Sequence, residues 1–399
     1  MSWLKRSLAW IVATGSLFFI LAVLLPSFLK STYYSAPLSL GKSQVAFVQA
    51  VLVSHVETPE PLKALYMTAC VAGTSSWRES LKRLIETSEL NAVVIDIKDY
   101  TGIVSFPLLR QGFEGQANAF VQKGCVVPDM REFIQKLHKF NIYVIGRVAV
   151  FQDPSYVKLF PELAVKKKSD GEVWKDYKGL SFIDVGARPY WDYIVGLSKE
   201  AYLLGFDELN YDYVRYPSDG NMTDVSYTWT HSTSSGQAVS KSEMLRSFFE
   251  YLDVSLKDTG VKTSVDLFGM TTTVDSDMNI GQVLENALPY FDYVSPMVYP
   301  SHYSPNWNGF ANPAEHPYEV VKIAMSSAVK REASWNLLQG LASTTPSKMR
   351  PWLQDFNLGA TYGPDKVRAQ IQATYDVGLT SWMLWNAGNK YTKEALLVE

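Results

Sequence analysis

The chain has 399 residues, 47% of them apolar and 19% charged, which allows one large domain or two ordinary ones and excludes a disordered polymer. A formal net charge of −3, with no long basic stripe, leaves nucleic acid no electrostatic footprint. Only two cysteines, Cys70 and Cys125, exclude a disulfide-built scaffold; both fall near the same end of predicted strands, so pairing between them stays open.

At the amino terminus, Lys5 and Arg6 precede an uncharged apolar run over residues 7–29, closed by Lys30. About 20 such residues span a bilayer core, so residues 1–30 are expected to form a signal anchor or transmembrane helix. Positive charge ahead of the span leaves the short tail in the cytoplasm and the body outside, in the periplasm or at the cell surface. Ser35-Ala36 keeps cleavage, and hence secretion, as the other outcome. Residues 31–62, with Pro37, Pro59 and Pro61 and no sustained period, read as a stalk or lead-in.

From residue 63 to 399 strand-like and helix-like runs alternate. Strands are predicted over 64–71, 91–98, 141–150, 207–214, 262–268, 292–299, 350–356 and 380–386, and the clearest helices over 130–140, 190–204, 243–258 and 364–377. Residues 218–241 and 301–316 read as long loops. Eight near-continuous apolar strands with helices between them predict an α/β fold, a (β/α)8 barrel. An open doubly wound sheet is the alternative, but it would carry a Gly-rich phosphate turn, and the sequence has none.

The segment 205–217 is the most informative. Gly205 closes a helix, Pro217 opens a loop, and the alternation of a strand puts Glu208, Asn210 and Asp212 on one face. Polar groups bunched at a strand's carboxyl end are costly in a structural core, whereas in a barrel that end is where chemistry is done. Other strands end in the same way: Asp96 and Lys98 on the second, Arg147 on the third, Asp266 on the fifth, Tyr299 on the sixth, Gln354 and Asp355 on the seventh, Trp385 and Asn386 on the eighth. A helix cap or a loop ion pair would account for any one of these. It accounts poorly for so many consecutive strands.

Glycoside hydrolysis needs two carboxyl groups, one to protonate the leaving oxygen and one as nucleophile or base. Asp212 and Asp266, late on adjacent strands, are the expected catalytic pair, with Glu208 as the substitute acid. Lys98 and Arg147 would hold one carboxylate ionised while burial raises the other, unless Arg147 only pairs with Asp96 or Asp212 to hold the barrel. Asp96, Lys98, Arg147, Glu208, Asn210, Gln354, Asp355 and Asn386 are expected to orient a sugar, and Tyr299 and Trp385 to stack on it. Arg215 is expected to fix the loop start through Asp219. His302 either reaches the substrate or is simply solvated. No metal or cofactor is expected: the five histidines are scattered, no metal-ligand, phosphate-loop or nucleophile-elbow motif occurs, and Asp275-Ser276-Asp277 reads as a solvated acidic loop.

Several segments together resemble the bacterial DUF4015 family of putative glycoside hydrolases. They are Val94-Ile95-Asp96-Ile97-Lys98-Asp99 with Gly102, Gly146-Arg147 with Phe151-Gln152-Asp153-Pro154, and Gly205 through Asp219. Ser295 through Tyr303, Arg350 through Phe356 and Trp382 through Ala387 complete them. The resemblance covers roughly residues 63–391 and implies a (β/α)8 barrel, an outward location and a hydrolase; the substrate expected here is a cell-envelope or extracellular polysaccharide or oligosaccharide. The strand at Asp207 is also distantly similar to the acidic fourth strand of chitinase-like barrels. Val214 and Arg215 stand where those carry their terminal acid, so that chemistry does not transfer. Two alternatives remain at this stage, a barrel that binds cell-envelope glycan without cleaving it and a structural envelope protein.

Overall fold

The computed structural model describes residues 53–108, 125–230, 239–341 and 347–398. The anchor expected at residues 1–30 lies outside them, and among the described residues no helix is long and apolar enough to cross a membrane.

Eight parallel strands close into a barrel, each hydrogen-bonded to its neighbours in chain order and the last to the first. They are β1 (Lys63–Met67), β2 (Ala92–Lys98), β3 (Tyr143–Ala149), β4 (Glu208–Asp212), β5 (Lys262–Phe268), β6 (Tyr293–Met297), β7 (Trp352–Gln354) and β8 (Trp382–Trp385). Long helices cross back between most of them: α1 (Ser75–Glu86), α2 (Met130–His138), α3 (Arg188–Leu204), α4 (Lys241–Leu256), α5 (Pro317–Leu338) and α6 (Pro364–Asp376). The β5–β6 crossover carries one short α-helix, Leu284–Ala287, after the 3-10 turn Gly269–Thr272, and β8 is followed by a single 3-10 turn, Lys393–Ala395.

The pattern that builds the barrel is period two. On β2, Val93, Ile95 and Ile97 belong to the outer core beneath the helices, while Ala92 and Val94 join Tyr143, Ile145, Trp352 and Met383 inside. Helix ends are set locally. A capping box of Ser240 and Glu243 starts α4, worth about 1 kcal/mol. Gly205 ends α3 at φ 125°, a conformation costly for any residue with a Cβ, and turns the chain directly into β4.

Two features differ from the expected layout. The lead-in is not loose over its described part: the Val56 amide donates to Asp207 at 2.8 Å, Thr58 to the Tyr143 hydroxyl at 3.0 Å, and His55 stacks on Tyr202. Residues 53–62 therefore cover the amino-terminal end of the barrel. The seam between β6 and β7 is also thin, with Met297 opposite Trp352 as its one paired position within the strands. Pro296 and Pro351 remove two amide donors there, which shortens the ladder.

Candidate active site

Strand register places the polar ends. Asp96 lies opposite Arg147, Arg147 opposite Asn210, and Asn210 opposite Ser264. These side chains point inward at the carboxyl-terminal rim, where a cavity of ≈ 540 Å³ opens. Its walls include Arg147, Asp212, Tyr213, Arg215, Asp266, Phe268, Tyr299, His302, Tyr303 and Trp385. The volume lies within the range of about 300–1,000 Å³ usual for small-molecule sites.

One network runs across the rim. The Arg147 guanidinium donates to Asp96 Oδ1 at 2.7 Å and, through Nε and Nη2, to Asp212 Oδ2 at 3.2 and 2.5 Å. The Tyr66 hydroxyl donates to the other Asp96 oxygen at 2.5 Å. Burial raises the pKa of the Asp96 carboxyl, against the opposing pull of Arg147 and Tyr66. Asp212 Oδ1 accepts from the Tyr213 amide at 2.6 Å. Tyr213 itself is left-handed, with φ 51°, an unfavourable backbone for a bulky residue that bends the chain just past Asp212 and brings its ring into the cavity wall.

Asp266 is held differently. Asn210 Nδ2 and Trp352 Nε1 both donate to its Oδ1 at 2.8 Å, leaving Oδ2 without a partner among the described residues. Burial, reinforced by the negative charge of Asp212, raises its pKa well above the usual carboxylate value. Two carboxyl groups thus share one cavity, one clamped by an arginine and the other driven toward its protonated form.

The walls are aromatic. Trp385 stacks on Tyr66 with centroids 4.0 Å apart and meets Trp352 edge-on, while Arg147 lies over its ring at 4.9 Å. Tyr299 packs edge-on against His302, whose pKa is lowered by burial, so its imidazole is neutral at neutral pH. Gly269, directly after β5, allows a close approach: a Cβ there would lie 2.5 Å from the Met297 carbonyl oxygen and 2.7 Å from the Tyr303 hydroxyl.

Of the residues singled out from the sequence, Arg147, Asp212, Asp266, Tyr299 and Trp385 line the cavity, with Asp96 and Asn210 bonded directly behind them. Five do not reach it. Lys98 was expected beside Asp96, but the register shifts between them, and its ammonium is buried outside the barrel, 2.8 Å from Asp153 and beneath the Tyr190 ring. Glu208 does share the face of Asp212, yet sits at the opposite end of the strand, ion-paired to Arg350 at 2.9 Å and accepting from Tyr143 at 3.1 Å. Gln354 accepts from the Ser301 amide and donates to the Phe356 carbonyl. Asp355 accepts from the Thr392 amide and hydroxyl, and Asn386 donates to the carbonyls of Asp355 and Lys390. These last three brace the loops around the rim.

Sequence reasoning passed over Tyr66, Tyr213, Phe268 and Trp352, and read Arg215 as a loop brace. Tyr66 and Trp352 stand at inward positions of β1 and β7 and were within reach of the same period-two argument. Arg215 does brace the loop start, through the Tyr216 carbonyl and Ser218 Oγ rather than an ion pair with Asp219, and it also lines the cavity. The described residues hold no cluster of three or more acids, histidines or cysteines able to bind a metal.

A closed parallel barrel with carboxyl groups, an arginine and aromatic walls gathered at its carboxyl-terminal mouth is the layout of a barrel enzyme. Residues 64–391 match the family model described as a putative glycosyl hydrolase domain, DUF4015, and the chain belongs to that family. The structure is similar to the PgaB (BpsB) glycoside hydrolase domain from Bordetella bronchiseptica, with a TM-score of 0.58 and 13% identity over 82% of this chain and 95% of that one. That likeness is one of fold. A hypothetical protein from Ruminiclostridium thermocellum is 30% identical over 51% of this chain and 96% of its own, with a TM-score of 0.43. A β-N-acetylhexosaminidase from Bacteroides fragilis gives 10% identity over 82% and 60%, with a TM-score of 0.49. No curated protein matches the chain.

Proposed function

We propose that the barrel hydrolyses O-glycosidic bonds of a cell-envelope or extracellular polysaccharide, with Asp266 as general acid and Asp212 as base or nucleophile. One observation carries this reading: the two carboxyl groups share a cavity but are held in opposite ways, Asp212 in an ion pair with Arg147 and Asp266 by burial beside that negative charge. Asp266 Oδ2 would deliver its proton to the leaving oxygen. Asp212 would either attack the anomeric carbon or draw a proton from the water that does. Arg147 and Asn210 fix the two carboxyl groups, and Trp385 and Tyr299 offer faces for a sugar ring.

An extracytoplasmic, membrane-anchored location fits this substrate. Supporting it are the apolar run at residues 7–29 and the Cys70–Cys125 disulfide, a bond favoured by oxidising compartments.

Incubating the protein with a polysaccharide panel and measuring new reducing ends tests the proposal. Asp266→Asn should lower kcat by about 10²–10⁴-fold, and Asp212→Asn by at least as much, each without loss of fold. Binding without turnover by the unaltered protein would reject hydrolysis in favour of a glycan-binding module. Unchanged turnover in either variant would remove that residue from the chemistry.

A further inference from the structure

Arg215 differs from most of the other sheltered arginines; Arg131, half-buried and bonded to the Leu203 carbonyl, shares its lack of a carboxylate but lies away from the cavity. Arg78, Arg147, Arg331, Arg350 and Arg368 each close on a carboxylate, with Asp129, Asp96 and Asp212, Glu285, Glu208 and Glu89 as partners. Arg215 closes on none among the described residues. Its Nη1 donates to the Tyr216 carbonyl and to Ser218 Oγ, both at 3.1 Å. Those bonds fix the guanidinium but leave the edge formed by Nε and Nη2 without a partner among the described residues. Arg147 uses this same edge to grip Asp212.

The surroundings hold the group without neutralising it. The guanidinium lies 5.2 Å from the centroid of the Tyr213 ring, 5.0 Å from Phe268 and 5.8 Å from Phe182. Tyr213 and Phe268 also line the catalytic cavity. Burial lowers the Arg215 pKa, with Tyr213 and, at longer range, Asp212, Asp219 and Asp176 partly opposing it, yet an arginine remains charged at any physiological pH. A sheltered cation held by aromatic faces and facing a cavity carries a desolvation cost that an incoming anion would offset. Its vacant planar fork matches two oxygens of one oxyanion better than it matches a lone hydroxyl.

Resting on the glycosidase reading above, we infer that the substrate is an acidic glycan, and that Arg215 receives an oxyanion carried by a sugar beside the scissile bond. A uronate carboxylate and a sulfate or phosphate ester present the same pair of oxygens, and the experiment separates them.

The full chain is titrated calorimetrically with oligosaccharides from matched pairs: polyuronates and their carboxyl-reduced forms, sulfated glycans and their desulfated forms, phosphorylated glycans and their dephosphorylated forms. At least one acidic member should bind about tenfold or more tighter than its neutralised partner, and the pair that shows this names the oxyanion. Arg215→Gln should bring the acidic member down to the affinity of the neutral one. Arg215→Lys, which keeps the charge but loses the fork, should fall between them. The paired ligands need no variant, so the comparison holds even if a substitution unfolds the protein. Equal or tighter binding of the neutral member in every pair overturns the inference, as does failure of every acidic member to bind. A preference that survives Arg215→Gln also overturns it. Acidic preference in binding without any cleavage rejects hydrolysis while leaving the anion site standing, whereas cleavage of neutral glycans indifferent to Arg215 does the reverse.

Discussion

At the scale of single residues, the surroundings of Asp266 suit the acid role proposed for it. An acid catalyst must hold its proton, and burial beside Asp212 favours the protonated form by making the ionised one costly. An unfolded aspartate titrates at about 3.9, and the folded pKa lies above it. The folded state therefore holds this proton to higher pH than the unfolded chain does. Its contribution to stability is complete below the unfolded pKa and is lost as pH rises through the folded one. Asp266→Asn cannot ionise. Its amide oxygen can still accept from Asn210 and Trp352, and its NH₂ stands where the acid's OH would be. The melting temperature of the variant, relative to the parent, should climb as pH rises from the unfolded pKa toward the folded one, and the parent's activity should fall as pH passes the folded pKa. Thermal melts across a pH series read the first effect, and a difference that stays flat with pH would show that Asp266 does not carry the raised pKa.

At the scale of elements, β4 divides its polar face between two ends of the barrel. Asp212 opens into the cavity, while Glu208, two positions before Asn210, meets Arg350 in the layer that residues 53–62 cover. Alternation within the strand was legible from the sequence, and so were the eight strands, the closure of α3 by Gly205 and the inward face of Asp96, Arg147 and Asp266. Depth along the barrel axis was not, because period two assigns a face but no height. A register shift hid Lys98 for a related reason: once the strand bulges, alternation no longer predicts the face. The loop roles of Gln354, Asp355 and Asn386 depend on partners far away in sequence, such as Ser301 and Thr392, and no local pattern encodes them. The placement of Glu208 predicts a clean separation of effects. Glu208→Gln removes the carboxylate facing a buried Arg350 and should cost about 3–5 kcal/mol of stability. Variant that remains folded should turn over substrate with the kcat of the parent, since Glu208 does not line the cavity. Urea midpoints and kcat measured on one preparation test both halves, and a large kcat loss at unchanged stability would move Glu208 back to the chemistry.

At the scale of the whole molecule, the barrel separates stability at its amino-terminal end from chemistry at its carboxyl-terminal mouth. The disulfide lies on the chemical side. Cys70 sits in the short helix directly after β1, and Cys125 precedes α2 in the connection after β2, with their Cα atoms 4.5 Å apart. It therefore ties two neighbouring rim connections together, next to the strand that carries Asp96. The sequence separation of 55 residues sets the expected effect, because closing a loop of that length removes unfolded-state entropy worth about 4 kcal/mol. Replacing both cysteines with serine should lower stability by an amount of that order. The loss should appear in denaturant midpoints as a change in stability at nearly constant kcat, since neither cysteine lines the cavity. The parent protein treated with reductant should converge on the stability of the double variant, whereas the variant should not respond to reductant at all. Equal stability of parent and variant under oxidising conditions would mean that the barrel is held by its packed core alone and that the rim bond constrains nothing the core has not already fixed.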